Sequence, residues 1–280
     1  MKKISVCLVI ILLATILTGV STAYDENISN TIDQSYSDST KYFVKTYGAT
    51  TFTEKTEKIA YTNRTDQSRS VALFAPTYVI SGVTCVPTAG TTVLGFYDLF
   101  YPDLIPNFTA GTIVYGMYNY YPATTHVTTA ALQLAKDMGL NDPATDGATV
   151  SNFKTGMQIY CQRKGLSISA QSCMNSGSFN YTLVKEYVNN LTPVVIFTTK
   201  FNIGFIETQS NTDTVHSYIA TEPHAMFVYG YSEYTYTLSN GQTKTNRYLQ
   251  VSSGLGILDS ALVNIDADIL INDAYAVTIY

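Results

Sequence analysis

The chain has 280 residues, and hydrophobic residues make up 46% of it, so a sizeable core can form and wholesale disorder is excluded. Only 13% of residues are charged, the formal net charge is −5 and there is no basic run, which argues against nucleic-acid binding. The chain is instead rich in Thr, Ser, Asn and Tyr, a composition that suits the hydroxyl-rich surface of an exported protein.

Residues 1–23 read as a secretory signal peptide. Lys2 and Lys3 precede an apolar run from Ile4 to Leu17, and Ser21-Thr22-Ala23 supplies the small residues of a cleavage site. The expected product is secreted or held in the cell envelope, with no membrane attachment after cleavage. Of the four cysteines, Cys7 leaves with the signal, and Cys85, Cys161 and Cys173 remain. An odd number in an oxidising compartment leaves one thiol over. Cys161 and Cys173 are close enough in sequence to close a short loop, which singles out Cys85.

Residues 24–72 form a polar extension or prosegment, and the catalytic domain is expected over 73–280. Val71 to Phe74 and Tyr78 to Ile80 look extended. A helix is expected to start at Cys85. Pro87 fits its first turn, where a missing N–H costs nothing, and Val86, Ala89, Gly90, Val93, Leu94 and Tyr97 recur at helical spacing. Further helices are predicted over 127–138, from Thr149 to Gly165, and over 181–191 with Asn180 as cap. Strands then follow at Val194–Thr199, Ala225–Tyr231, Tyr248–Ser252 and Ala274–Ile279, with an Asn240-Gly241 turn between the middle pair. Helices first and strands later predict an α+β class.

Cys85 is the sharpest chemical candidate. At a helix N-terminus a thiol sits near unpaired backbone N–H groups and the positive end of the dipole, which favour the thiolate and could hold an oxyanion. A thiolate also needs an acid for the leaving group, and His serves best near neutral pH. Of three histidines, His224 opens a strand. His216 is expected in a polar loop with Asn211, Thr212 and Asp213, and His126 precedes the second helix.

The run Cys85-Val86-Pro87-Thr88-Ala89-Gly90, followed by Leu94-Gly95-Phe96-Tyr97-Asp98, resembles the nucleophile helix of papain-like cysteine peptidases, and in particular their bacteriocin-processing (double-glycine) branch. Pro223-His224-Ala225-Met226-Phe227-Val228-Tyr229-Gly230-Tyr231 is similar to the family's His strand, and Tyr248 to Gly256 to the strand and Gly-rich loop after it. Pro193-Val194-Val195-Ile196 sits where the family has the strand before the His. The resemblance covers roughly residues 73–280 by order of elements. It implies a papain-like fold, with a helical N-terminal half carrying the nucleophile and a C-terminal antiparallel sheet. It also implies Cys85 as nucleophile, His224 as general acid/base, and hydrolysis of a peptide or protein substrate through a thioester. Three features depart from the family. Val86 stands where Gly is usual, Tyr78 to Thr84 holds no Gln for the oxyanion, and the position of the His-orienting Asn or Asp falls on Ser253, with Asp213 and Asp259 as distant substitutes. The enzyme is therefore expected to have a reduced catalytic set.

Two other readings use the same residues. One is a non-catalytic secreted or cell-wall binding protein on the same fold. The other is an acyl-transfer enzyme of transglutaminase or amidase type. No cofactor is expected. No metal is expected either, because the Cys and His residues lack the close paired spacing of a zinc site.

Overall fold

The computed structural model describes residues 52–255, 258 and 260–280. The expected signal peptide and most of the polar extension lie outside them. Two strands open the described chain, β1 (Thr53–Ala60) and β2 (Asn63–Ser70). The buried helix α1 (Cys85–Asp98) follows, then a hairpin of β3 (Gly111–Val114) and β4 (Met117–Tyr120). Helices α2 (Thr125–Asp137) and α3 (Val150–Arg163) come next, then β5 (Ile168–Ser172), the short pair β6 (Met174–Asn175) and β7 (Ser178–Phe179), and α4 (Tyr181–Asn189). The remainder is strand: β8 (Val194–Gln209), β9 (Thr212–Ala220), β10 (His224–Thr237), β11 (Thr243–Ser252), β12 (Ser260–Asn264) and β13 (Leu270–Ile279).

The expected papain-like α+β fold with an N-terminal helical half is not what forms. The chain is dominated by one antiparallel sheet of nine strands, ordered β1-β9-β8-β12-β11-β10-β2, with β13 and β5 joined to it through β8. The physical reason lies in the polar stretch before residue 73. β1 and β2 are exposed along most of their length, so they need no apolar alternation. They join the sheet by backbone pairing, β1 to β9 and β2 to β10. Strands thus precede the helices as well as following them.

β8 and β10 are long and change partners along their length. Val194–Thr198 of β8 lies between β10 and β13, and Phe201–Gln209 pairs with β9. Because β8 also meets β12, the strands β8, β12, β11 and β10 form a closed circuit. Beyond it the outer halves of the strands enclose a second small core of Ile59, Val215 and Tyr236. A buried carboxylate crosses that core. Asp213 on β9 accepts from the Arg64 guanidinium at 2.7 Å, from Tyr236 Oη at 2.8 Å and from Thr208 Oγ1 at 2.9 Å. An ion buried this way is stable only because every oxygen is matched.

The main core lies where α1 packs on β10. Every residue of α1 after Cys85 is buried, and the hydroxyls of Thr88, Thr91 and Thr92 are satisfied by the carbonyls four residues back, so the helix can sit at the centre of the core. Phe96 on α1 faces Phe227 on β10 at 6.3 Å between ring centres. Gly95 allows the closest approach: a Cβ there would lie 2.3 Å from the Tyr78 hydroxyl. The four helices begin within two residues of the positions expected from periodicity. Asn180 caps α4 by accepting from the Leu183 N–H at 3.1 Å.

Candidate active site

Cys85 is the first residue of α1. The N-cap Thr84 does not cap with its side chain. Its Oγ1 donates instead to the Asp146 carbonyl at 3.1 Å, and its N–H to the Pro143 carbonyl at 2.8 Å. The loop before α3 thus anchors the helix start and leaves the first-turn N–H groups to the thiol. No acidic residue lies in that turn. The Cys85 sulfur is favoured as thiolate by three backbone N–H groups, those of Ala225, Cys85 and Val86, while burial pushes its pKa above the ordinary thiol value and dominates.

Since the Ala225 N–H is among the groups that favour the thiolate, the sulfur lies near the first step of β10, where His224 stands. His224 is only 6% exposed. Its ring stacks on Phe201 at 4.7 Å between centres, and its Nε2 lies 2.9 Å from the Ser253 carbonyl oxygen. A carbonyl only accepts, so Nε2 carries the proton, and Nδ1 is the nitrogen with a free lone pair. Burial lowers the His224 pKa to about 4, against a small upward push from Ser253.

Ser253 is held by its own turn. Its Oγ donates to the Leu258 carbonyl at 2.7 Å and accepts from the Leu255 N–H at 3.2 Å. Gly254 then takes the left-handed region, φ 72°, and a Cβ there would press on Thr88 of α1 at 3.1 Å. The turn therefore sits on the first turn of α1, the turn that begins at Cys85, while its Ser253 carbonyl reaches the His224 ring.

The sequence located the position that orients the imidazole but not the group. The Ser253 hydroxyl is committed to its turn, and the main-chain oxygen holds the ring. No residue type signals a carbonyl, so periodicity and motif could not have found it. Asp213 does not take the role, because its oxygens serve Arg64, Thr208 and Tyr236; Asp259 lies outside the described residues. His216 is not in a loop. It lies on β9, stacked on Phe205 at 4.6 Å between centres. His126 is exposed in the first turn of α2.

Cys161 and Cys173 do not pair. Both are buried free thiols, and burial pushes them up to about 12 and about 11. Among the described residues, no three His, Cys, Asp or Glu side chains are grouped to hold a metal ion. Compared with known protein families, curated proteins and solved structures, the chain finds no match.

Proposed function

We propose that the chain is a secreted cysteine peptidase, in which Cys85 attacks a peptide carbonyl and His224 moves the proton. The observation that carries this reading is the Ala225 N–H on the Cys85 sulfur, one residue from an imidazole whose Nε2 is tied to the Ser253 carbonyl. With burial raising the thiol pKa above its ordinary value, the thiol form is favoured at rest. With His224 at about 4, the resting pair is neutral thiol and neutral imidazole.

The reaction then starts by general-base catalysis rather than from a standing ion pair. The Cys85 proton passes to His224 Nδ1 as the sulfur–carbon bond forms. The Ser253 carbonyl supports the resulting imidazolium through Nε2–H. The N–H groups at the start of α1 face the oxyanion and supply donors that a Gln side chain would otherwise provide. Imidazolium then gives its proton to the leaving amine as the carbon–nitrogen bond breaks. Water, deprotonated by the same imidazole, releases the acid from the thioester and restores the thiol.

A second reading, a non-catalytic secreted binding protein, is favoured by the same neutral pair, since among the described residues no carboxylate shifts the His224 imidazole. The two readings separate on a peptide library incubated with the mature protein and read by mass spectrometry. Cleavage products lost in Cys85→Ala support the peptidase; identical libraries with and without protein support binding alone.

A further inference from the structure

The β3–β4 hairpin carries an apolar tip at the C-terminal end of α1, remote from Cys85 at the N-terminal end. Ile113 is 58% exposed and Tyr115 86%, with Val114 and Met117 partly exposed at 38% and 41%. Phe100 extends the patch by lying 5.0 Å from the Tyr118 ring. Exposed Phe74 extends it through its backbone bridge to Asn119. Neighbouring strand residues point to opposite faces, so exposed Ile113 and Val114 make both faces of the tip apolar. A flat protein surface would cover one face and leave the other in water. A fluid medium that surrounds the tip covers both.

The turn adds an independent sign. Tyr115 (φ 51°) and Gly116 (φ 79°) form a two-residue hairpin turn with both residues left-handed. Asn or Gly suits the first of these positions, and a bulky ring is disfavoured there. The chain nevertheless places there the most exposed aromatic ring among the described residues. Charge is absent as well. From Val71 to Ala135 the only Asp, Glu, Lys or Arg residues are Asp98, which is buried, and Asp103. Lys164 from α3's C-terminal end reaches the Asp103 carbonyl, but the hairpin's own stretch is neutral and complements neutral headgroups rather than charged ones.

We propose that the β3–β4 hairpin docks the protein on a zwitterionic lipid bilayer. The tip enters the interface, with Ile113, Val114 and Met117 among the acyl chains and the Tyr115 and Tyr118 hydroxyls at headgroup level. Four residues per strand reach about 13 Å at ~3.3 Å each, enough for an interfacial depth of about 5–10 Å. The strands pair from Gly111↔Tyr120 to Val114↔Met117, and the outer edge of β4 is met by Leu73 and Phe74, so only the short outer edge of β3 is left for water and headgroups to serve, which keeps the hairpin at interfacial depth. Among the described residues no helix is long and apolar enough to cross a membrane, so the contact is a surface one. The proposal is independent of the Cys85 chemistry, and departs from the expectation of no membrane attachment after signal cleavage.

The test is flotation of the mature chain with vesicles of pure phosphatidylcholine. The wild type is expected to float with the vesicles equally at low and high salt. Tyr115→Asp, which suits the left-handed turn, is expected to lower the partition coefficient at least about tenfold while circular dichroism stays unchanged. The chain has no Trp, so Tyr115→Trp gives a single reporter whose emission should shift to the blue and be quenched by brominated lipid. A wild type that stays in the soluble fraction at every lipid concentration overturns the proposal. So does Tyr115→Asp floating like the wild type. A wild-type dimer that Tyr115→Asp converts to monomer, with no flotation of either, assigns the patch to a second copy of the chain instead.

Discussion

Replacing His224 by Phe should flatten the acid limb of the stability curve by an amount that follows from burial alone. The ring's pKa falls from an ordinary 6.5 in the unfolded chain to about 4 in the fold. A shift of this size is worth about 3 kcal/mol. Because the folded value is the lower one, the unfolded chain takes up the proton first. The neutral ring's contribution is therefore complete above pH 6.5 and is lost as pH falls through 6.5 toward 4. Between pH 7.5 and 4.5 the wild type should lose about 2–3 kcal/mol through this one group. Asp98, raised to about 6 by burial, works in the opposite sense. It costs stability as pH rises toward 6, so the wild-type curve alone does not isolate His224. Urea titrations of wild type and His224→Phe at several pH values do. The difference between the two proteins should change by about 2–3 kcal/mol across the window. Parallel curves would mean that the ring is solvated, and the neutral-pair mechanism would lose its basis.

Other consequences are as specific. Asp213→Ala leaves the Arg64 guanidinium without its buried partner and should cost about 3–5 kcal/mol in urea unfolding; a cost below ~1 kcal/mol would show that the second core does not depend on the network. The buried Tyr78 hydroxyl has no hydrogen-bond partner, so Tyr78→Phe should be neutral or stabilising by up to about 1 kcal/mol. Gly95→Ala, by contrast, should cost about 1–3 kcal/mol by driving a methyl group into that ring. Alkylation of the unfolded mature chain without reductant should modify Cys85, Cys161 and Cys173 alike. A mass deficit equal to two unlabelled thiols would instead reveal a bridge.

The interior was the legible part of this chain. α1 announced itself by Pro87 in its first turn and apolar residues at three- and four-residue spacing, α4 by its Asn180 cap, and the β10–β11 connection by Asn240-Gly241. What escaped was the edge of the sheet. Thr53–Ala60 and Asn63–Ser70 are polar and exposed, and pair through main-chain groups that leave no periodic mark. β9 was hidden by its own core, because Asp213 occupies a buried position where alternation calls for an apolar residue. These omissions turned a sheet-dominated fold into an expected helical half. At the site, Cys85 and His224 were readable as residue types in context. The Ser253 carbonyl was not, since it owes its position to a turn held by Gly254 against Thr88.

The most direct measurement is covalent capture at Cys85 by a peptide-based thiol electrophile, followed by peptide mapping. Label should enter Cys85 of the wild type near neutral pH, spare buried Cys161 and Cys173, and fall at least about a hundredfold in rate in His224→Ala, the loss expected for a missing general base. Label that reaches Cys85 at the same rate without the imidazole, or that never reaches it in the folded wild type, would contradict the pairing of that sulfur with that ring.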